Sequence, residues 1–173
     1  MKFEINKSIE ILDRTPLVLK ALLSGLPKDW LRGNEGENTW SPYNIVGHLI
    51  HNEKTDWIPR INIILSDSKD KTFIPFDRFA QMRGDQTVSI EYLLDEFKAL
   101  RIASLDVLKS IPFNKLSLLK KGIHPELGEV TLKALLSAWV VHDLGHISQI
   151  TRVMAKQYKD EVGPWVEYIS ILK

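Results

Sequence analysis

The chain has no cysteine, which excludes disulfides, thiolate-ligated metal sites and a cysteine nucleophile together. Histidine and carboxylate are the metal ligands that remain. An excess of either charge is also missing: 23 Lys and Arg against 22 Asp and Glu leave a net +1. Nothing in that balance favours nucleic acid or an anionic membrane as partner. No apolar run reaches the roughly 18 residues of a spanning helix, and the opening MKFEINKSIEILDR mixes charges into its apolar residues, unlike a signal peptide. The expectation is a cytoplasmic protein, with no membrane and no nucleic-acid partner.

What is present is an ordinary globular composition, with 44% hydrophobic and 26% charged residues over 173 positions. That length suits one full core, so a single domain over 1–173 is expected. Four segments carry helical periodicity and none alternates with period two, which points to an all-α fold. The first helix is expected from about Ile5 to Ser24, with Pro16 kinking it or restarting it behind a Thr15 cap, and Gly25 and Pro27 closing it. In the second, Ser41 caps a helix with Pro42 in its first turn that runs to about Leu65, with a bend expected at Pro59.

The polar stretch Ser66–Gln86 is long for a bundle connection, and is either functional or wrapped over one end. From Ser89, the spacing of Ile90, Leu93, Leu94, Phe97, Leu100, Leu105, Leu108 and Ile111 marks a third helix with one apolar stripe. A loop containing His124, Pro125 and Gly128 follows. Thr131 then caps a fourth helix reaching roughly Tyr158. Between Leu132 and Leu144 it is apolar nearly all round, as a helix buried on more than one side would be, and a short element around 165–172 ends the chain.

The stretch HDLGH in that fourth helix carries the chemistry. His142 and His146 stand four residues apart and so share a face, a spacing that lets two imidazoles bind one ion. The alternative is a pair of hydrogen-bonded core histidines, which would each need a partner for a buried ring nitrogen. A catalytic zinc-type site takes a third protein ligand. His48 and His51 on the second helix are the candidates, His48 the better placed, while His124 before a proline suits loop packing. A rival reading takes HDLGH as a variant of the HExxH protease helix, with Asp143 in place of the glutamate base and Glu161 or Glu167 as third ligand. Asp143 would orient a ligand or form a salt bridge, Gln149 would contact a ligand or cap the stripe, and Arg101 would hold an anionic substrate or form a surface ion pair.

TWSPYNIVGHLIHNE, HPELGEVTLKALLSAWVVHDLGHISQI and PWVEYISIL together resemble the DinB-like superfamily of four-helix bundles, over nearly the whole chain. The family is distinct from the DNA polymerase that shares its name. The resemblance implies an up-down bundle with a long crossover and a divalent metal, zinc or nickel, held by three histidines. Matched position by position, these are His48, His142 and His146. It further implies a metal-dependent enzyme acting on a small molecule, by hydrolysis or by transfer involving a low-molecular-weight thiol, or else a non-catalytic metal-binding stress protein. A homodimer is implied as well, although no thiol site can be read from the residues themselves.

Overall fold

Helix α1 spans Ile5–Leu23, and its buried Ser8, Leu12, Thr15, Leu19 and Leu23 recur every three or four residues along one face. It continues through Pro16 without restarting. A short α2, Lys28–Arg32, follows where the sequence carries too few residues for a periodic signal. Helix α3, Pro42–Thr55, begins as expected: Asn44 N–H donates to the Ser41 hydroxyl at 3.3 Å and Ser41 N–H returns to Asn44 Oδ1 at 3.2 Å, a reciprocal cap with proline in the first turn. The break before α4, Trp57–Leu65, falls at Asp56 and not at Pro59. Pro59 lies in the first turn of α4, where a backbone N–H has no helical partner and its loss costs nothing.

Helix α5 spans Ile90–Ser110 behind a Ser89 cap, and α6 spans Leu132–Lys156 behind a Thr131 cap. Val141 and Leu144 of α6 are exposed, so this helix is not buried all round as its composition suggested. The connection read as a loop contains an antiparallel hairpin, β1 (Lys121–His124) with β2 (Gly128–Thr131). Four-residue strands are too short for alternation to show. Single-turn 3₁₀ segments at Gly163–Glu167 and Ser170–Leu172 form the C-terminal element. The computed structural model from which this is described covers residues 1–173.

The fold is a four-helix bundle in which α3 and α4 act as one long element. Helix α1 packs on α5 and α6, and α3 packs on the same two, so α1 stands diagonal to α3 and α5 diagonal to α6. The connections 24–41 and 111–131 therefore cross the bundle ends. The first is tied down by Glu35, which accepts from Arg152 at 2.7 and 2.9 Å and lies 2.9 Å from Lys156 Nζ; these cations hold its carboxyl down at about 2 against the opposing effect of burial. No helix is long and apolar enough to cross a membrane.

The 66–86 segment does wrap one end of the bundle. It joins β1 through Phe73 N–H to Ile123 O and Ile123 N–H to Lys71 O, both 2.9 Å, and buries Phe73 beneath the hairpin. Gly122 permits that approach, because a Cβ there would lie 2.4 Å from the Phe73 ring and 2.9 Å from Ile64. Gly122→Ala is expected to cost about 1–3 kcal/mol through overpacking. Urea unfolding measures it, and an unchanged midpoint would contradict this packing.

Candidate metal centre

The bundle core is divided in two. One part gathers Leu19, Leu23, Ile45, Leu49, Phe97 and Ile150, the other Leu12, Trp57, Ile61, Leu105, Leu136 and Trp139. Each long helix passes from one part to the other through polar residues: Thr15 on α1, Asn52 and Glu53 on α3, Arg101 on α5 and Asp143 on α6. Arg101 is only 1% exposed and joins them. It donates Nε and Nη2 to Glu53 Oε1 at 3.1 and 2.7 Å, and Nη1 and Nη2 to Asp143 at 2.6 and 3.3 Å.

Its Nη1 also donates to the carbonyl of Leu12 at 2.7 Å. That carbonyl would have taken the N–H of residue 16, which as proline has none. Both sequence readings of Arg101, substrate clamp or surface ion pair, are thus corrected: an interior guanidinium fills the hydrogen-bond gap left by Pro16 and binds two buried carboxylates. Asp143 is a salt-bridge residue and not a base. Burial would raise its carboxyl, but the adjacent His142 ring and Arg101 outweigh burial and hold it below the usual range.

With Asp143 turned into the core, the neighbouring His142 and the residue one turn on, His146, face the other way toward α3. His48 meets them there. His142 Nε2 lies 3.3 Å from His48 Nε2 and 3.1 Å from His146 Nε2, and the three ligand atoms lie within 4.8 Å of one another. Nitrogens bound tetrahedrally at 2.0–2.1 Å would be about 3.3 Å apart. His146 Nδ1 is 2.8 Å from Gln149 Oε1; donating there, it leaves its Nε2 with a free lone pair. Gln149 is thus neither a stripe cap nor a ligand contact, but the residue that sets the His146 tautomer.

Trp40 lies against His48, ring centroids 4.7 Å apart, and Trp57 meets His142 at 5.1 Å. Asn52 reaches His48 Nε2 with its amide nitrogen at 3.0 Å. His51 lies outside the group, against Phe76. The Nδ1 of His124 accepts from the backbone N–H groups of Glu126 and Leu127 at 3.1 and 3.2 Å, the loop-packing role expected of it. No carboxylate completes the group, so Glu161 and Glu167 do not act as the third member.

Residues 11–150 match the DinB superfamily. The chain belongs to that superfamily. Among solved structures, this DinB chain is similar to YfiT from Bacillus subtilis, described as a probable metal-dependent hydrolase with an unusual four-helix bundle topology. The two share 19% identity with a TM-score of 0.75, over 91% of this chain and 89% of that one. No curated protein matches the sequence.

The donor set fits a divalent ion. Burial, with the neighbouring His146 and His142, pushes His48 down to about 2, and burial with His142 pushes His146 down to about 4 despite the opposing bond to Gln149. Both rings are neutral near pH 7, as ligands must be. At most a few of the crowded nitrogens can satisfy one another, and a cation satisfies all three at once. The Nδ1 atoms of His48 and His142 find no hydrogen-bond partner; a proton on Nδ1 puts the lone pair on Nε2, which at His48 accepts from the Asn52 amide when no metal is bound.

These shifts set a pH dependence for the metal-free protein. In the unfolded chain both histidines take up protons near 6.5, in the folded chain only near 4 and 2. The unfolded state therefore binds more protons below pH 6.5, and stability falls as pH drops through that window. Asp56, whose carboxyl burial raises, opposes this from the acid side. The urea midpoint is expected to hold between pH 8 and 7 and to fall between 7 and 5. A midpoint that rises on acidification would contradict it.

Proposed function

We propose that the protein is a metal-dependent hydrolase acting on a small molecule, with zinc or nickel held by His48, His142 and His146. The convergence of three imidazole nitrogens at 3.1 and 3.3 Å, on the wall of a cleft, carries this reading. The description of YfiT supports it. Three ligands leave one tetrahedral position for water or substrate, and the cleft, of about 380 Å³, is of small-molecule size.

A divalent ion in such a site supplies Lewis acidity, which eases ionisation of water and polarises a carbonyl. The chain's own residues do the rest. Gln149 holds His146 in the ligating tautomer, and the buried Asp143–Arg101 pair fixes the register of the helix turn that carries His142. The Asn52 amide nitrogen donates to the His48 carbonyl at 2.8 Å and lies 3.0 Å from His48 Nε2, which ties that ring to its own helix turn. His124 also lines the cleft. With its Nδ1 accepting two backbone bonds, its proton resides on Nε2, where it serves as a donor to a leaving group. Phe76 and Trp57 supply apolar wall to the cleft.

The test combines metal affinity with turnover. Gln149→Leu is expected to weaken zinc binding by about 10–100-fold, the usual effect of losing a residue that orients a ligand. A chelator-dye competition reads this directly. Zinc- or nickel-loaded protein is expected to hydrolyse members of a small ester and amide panel, with His124→Gln slowing the poorer leaving groups most. Stoichiometric metal without turnover of any panel member would count for a non-catalytic metal-binding protein instead.

A further inference from the structure

Two cationic side chains line the histidine cleft, Arg60 and Arg78. Arg60 is already engaged, with its Nε 2.6 Å from the buried Asp56 carboxylate. Arg78 is not. It forms no salt bridge, while the neighbouring Asp77 pairs with Arg83. Its guanidinium carbon lies 5.8 Å from the Trp40 ring centroid and 5.7 Å from that of Phe79, within cation–π range of both. Trp40 in turn packs on His48 and stacks toward His146 at 6.4 Å.

The 66–86 segment thus does more than cover the end of the bundle. It sets a cation against the same indole that flanks two of the three histidines. With no salt bridge of its own, the guanidinium keeps its N–H fork available, and that fork matches the geometry of an oxyanion. Glu126 is the cleft's one carboxylate without an ion-pair partner, and Arg78 is not bonded to it.

We propose that Arg78 is the specificity-determining residue of the cleft, and that the substrate is a small molecule carrying a carboxylate or phosphate a few bonds from the group presented at the metal position. The inference rests on the open metal position proposed above. It adds what that reading does not contain, a substrate class with an anionic end.

The test uses zinc-loaded full-length protein and hydroxamates, which bind zinc whatever their tail. Succinic, glutaric and adipic monohydroxamates are compared by calorimetry with the uncharged butano-, pentano- and hexanohydroxamates, and with 3-phosphonopropanohydroxamate. The best acid is expected to bind about tenfold more tightly than its neutral partner. Arg78→Gln should abolish that preference while leaving the neutral affinities unchanged, and Arg78→Lys should restore part of it. Whichever of carboxylate and phosphonate binds more tightly names the anion. Equal binding of acid and neutral ligands by the wild type, or a preference that survives in Arg78→Gln, would overturn the proposal alone. Failure of every hydroxamate to bind the zinc-loaded protein would overturn the open metal position, and this proposal with it.

Discussion

Arg101→Met is expected to remove about 3–5 kcal/mol of stability, the largest effect of any single substitution in the interior. The guanidinium is buried between two carboxylates, and its removal leaves Glu53 and Asp143 charged without a counterion in the middle of the bundle. The Leu12 carbonyl loses its donor as well, and Pro16 cannot replace it. Breaking such a group is far worse than never having it, because the cost of desolvating the remaining charges is no longer offset. The companion variant Arg101→Met, Glu53→Gln, Asp143→Asn should therefore recover a large part of the loss. Urea unfolding of both variants checks this, and a loss below about 1 kcal/mol in Arg101→Met would show that the network carries little.

His142→Ala is expected to abolish stoichiometric zinc binding. His142 is central to the group, with its Nε2 within 3.3 Å of both other nitrogens. Two imidazoles hold an ion much more weakly than three. The penalty should exceed the 10–100-fold that follows from losing an orienting residue alone. His142 is also partly exposed, so the change leaves the core intact, and the metal-free variant should unfold near the wild-type midpoint. His51→Ala and His124→Ala should both retain one ion per chain, since neither ring belongs to the group. Metal analysis after dialysis against a chelator reads all three. Retention of metal by His142→Ala would mean that the ion binds elsewhere.

Much of the bundle was legible because its signals are local. Ser41 followed by Pro42, and the Thr131 cap, mark helix starts through hydrogen bonds made within three residues. The juxtaposition of His48 with His142 and His146 was legible through a family likeness as much as through periodicity, which separated His48 from His51 only weakly. The hairpin was not legible. Its four-residue strands become strands by pairing with each other and with the 71–73 stretch, a partner some fifty residues away that no local pattern reveals.

The polar layer was missed for a related reason. Arg101 and Glu53 look like surface residues in sequence, and only the packing of α3, α5 and α6 shows that they satisfy one another. One signal was available. Pro16 inside a helix leaves the carbonyl of Leu12 without a donor, and a buried carbonyl must find one. The role of Gln149 could have been found in the same way, as the residue one turn beyond His146 able to accept from Nδ1. Arg78 had no sequence signal, because its place depends on how the 66–86 segment folds back on Trp40.

A crystal structure of the zinc-loaded protein with an anomalous map at the zinc edge tests the central claim most directly. The account predicts one ion per chain, bound by Nε2 of His48, His142 and His146 at about 2.0–2.1 Å, with its fourth ligand a water or solute on the cleft side. An ion bound away from these rings, or one closed by a fourth protein ligand, would contradict it.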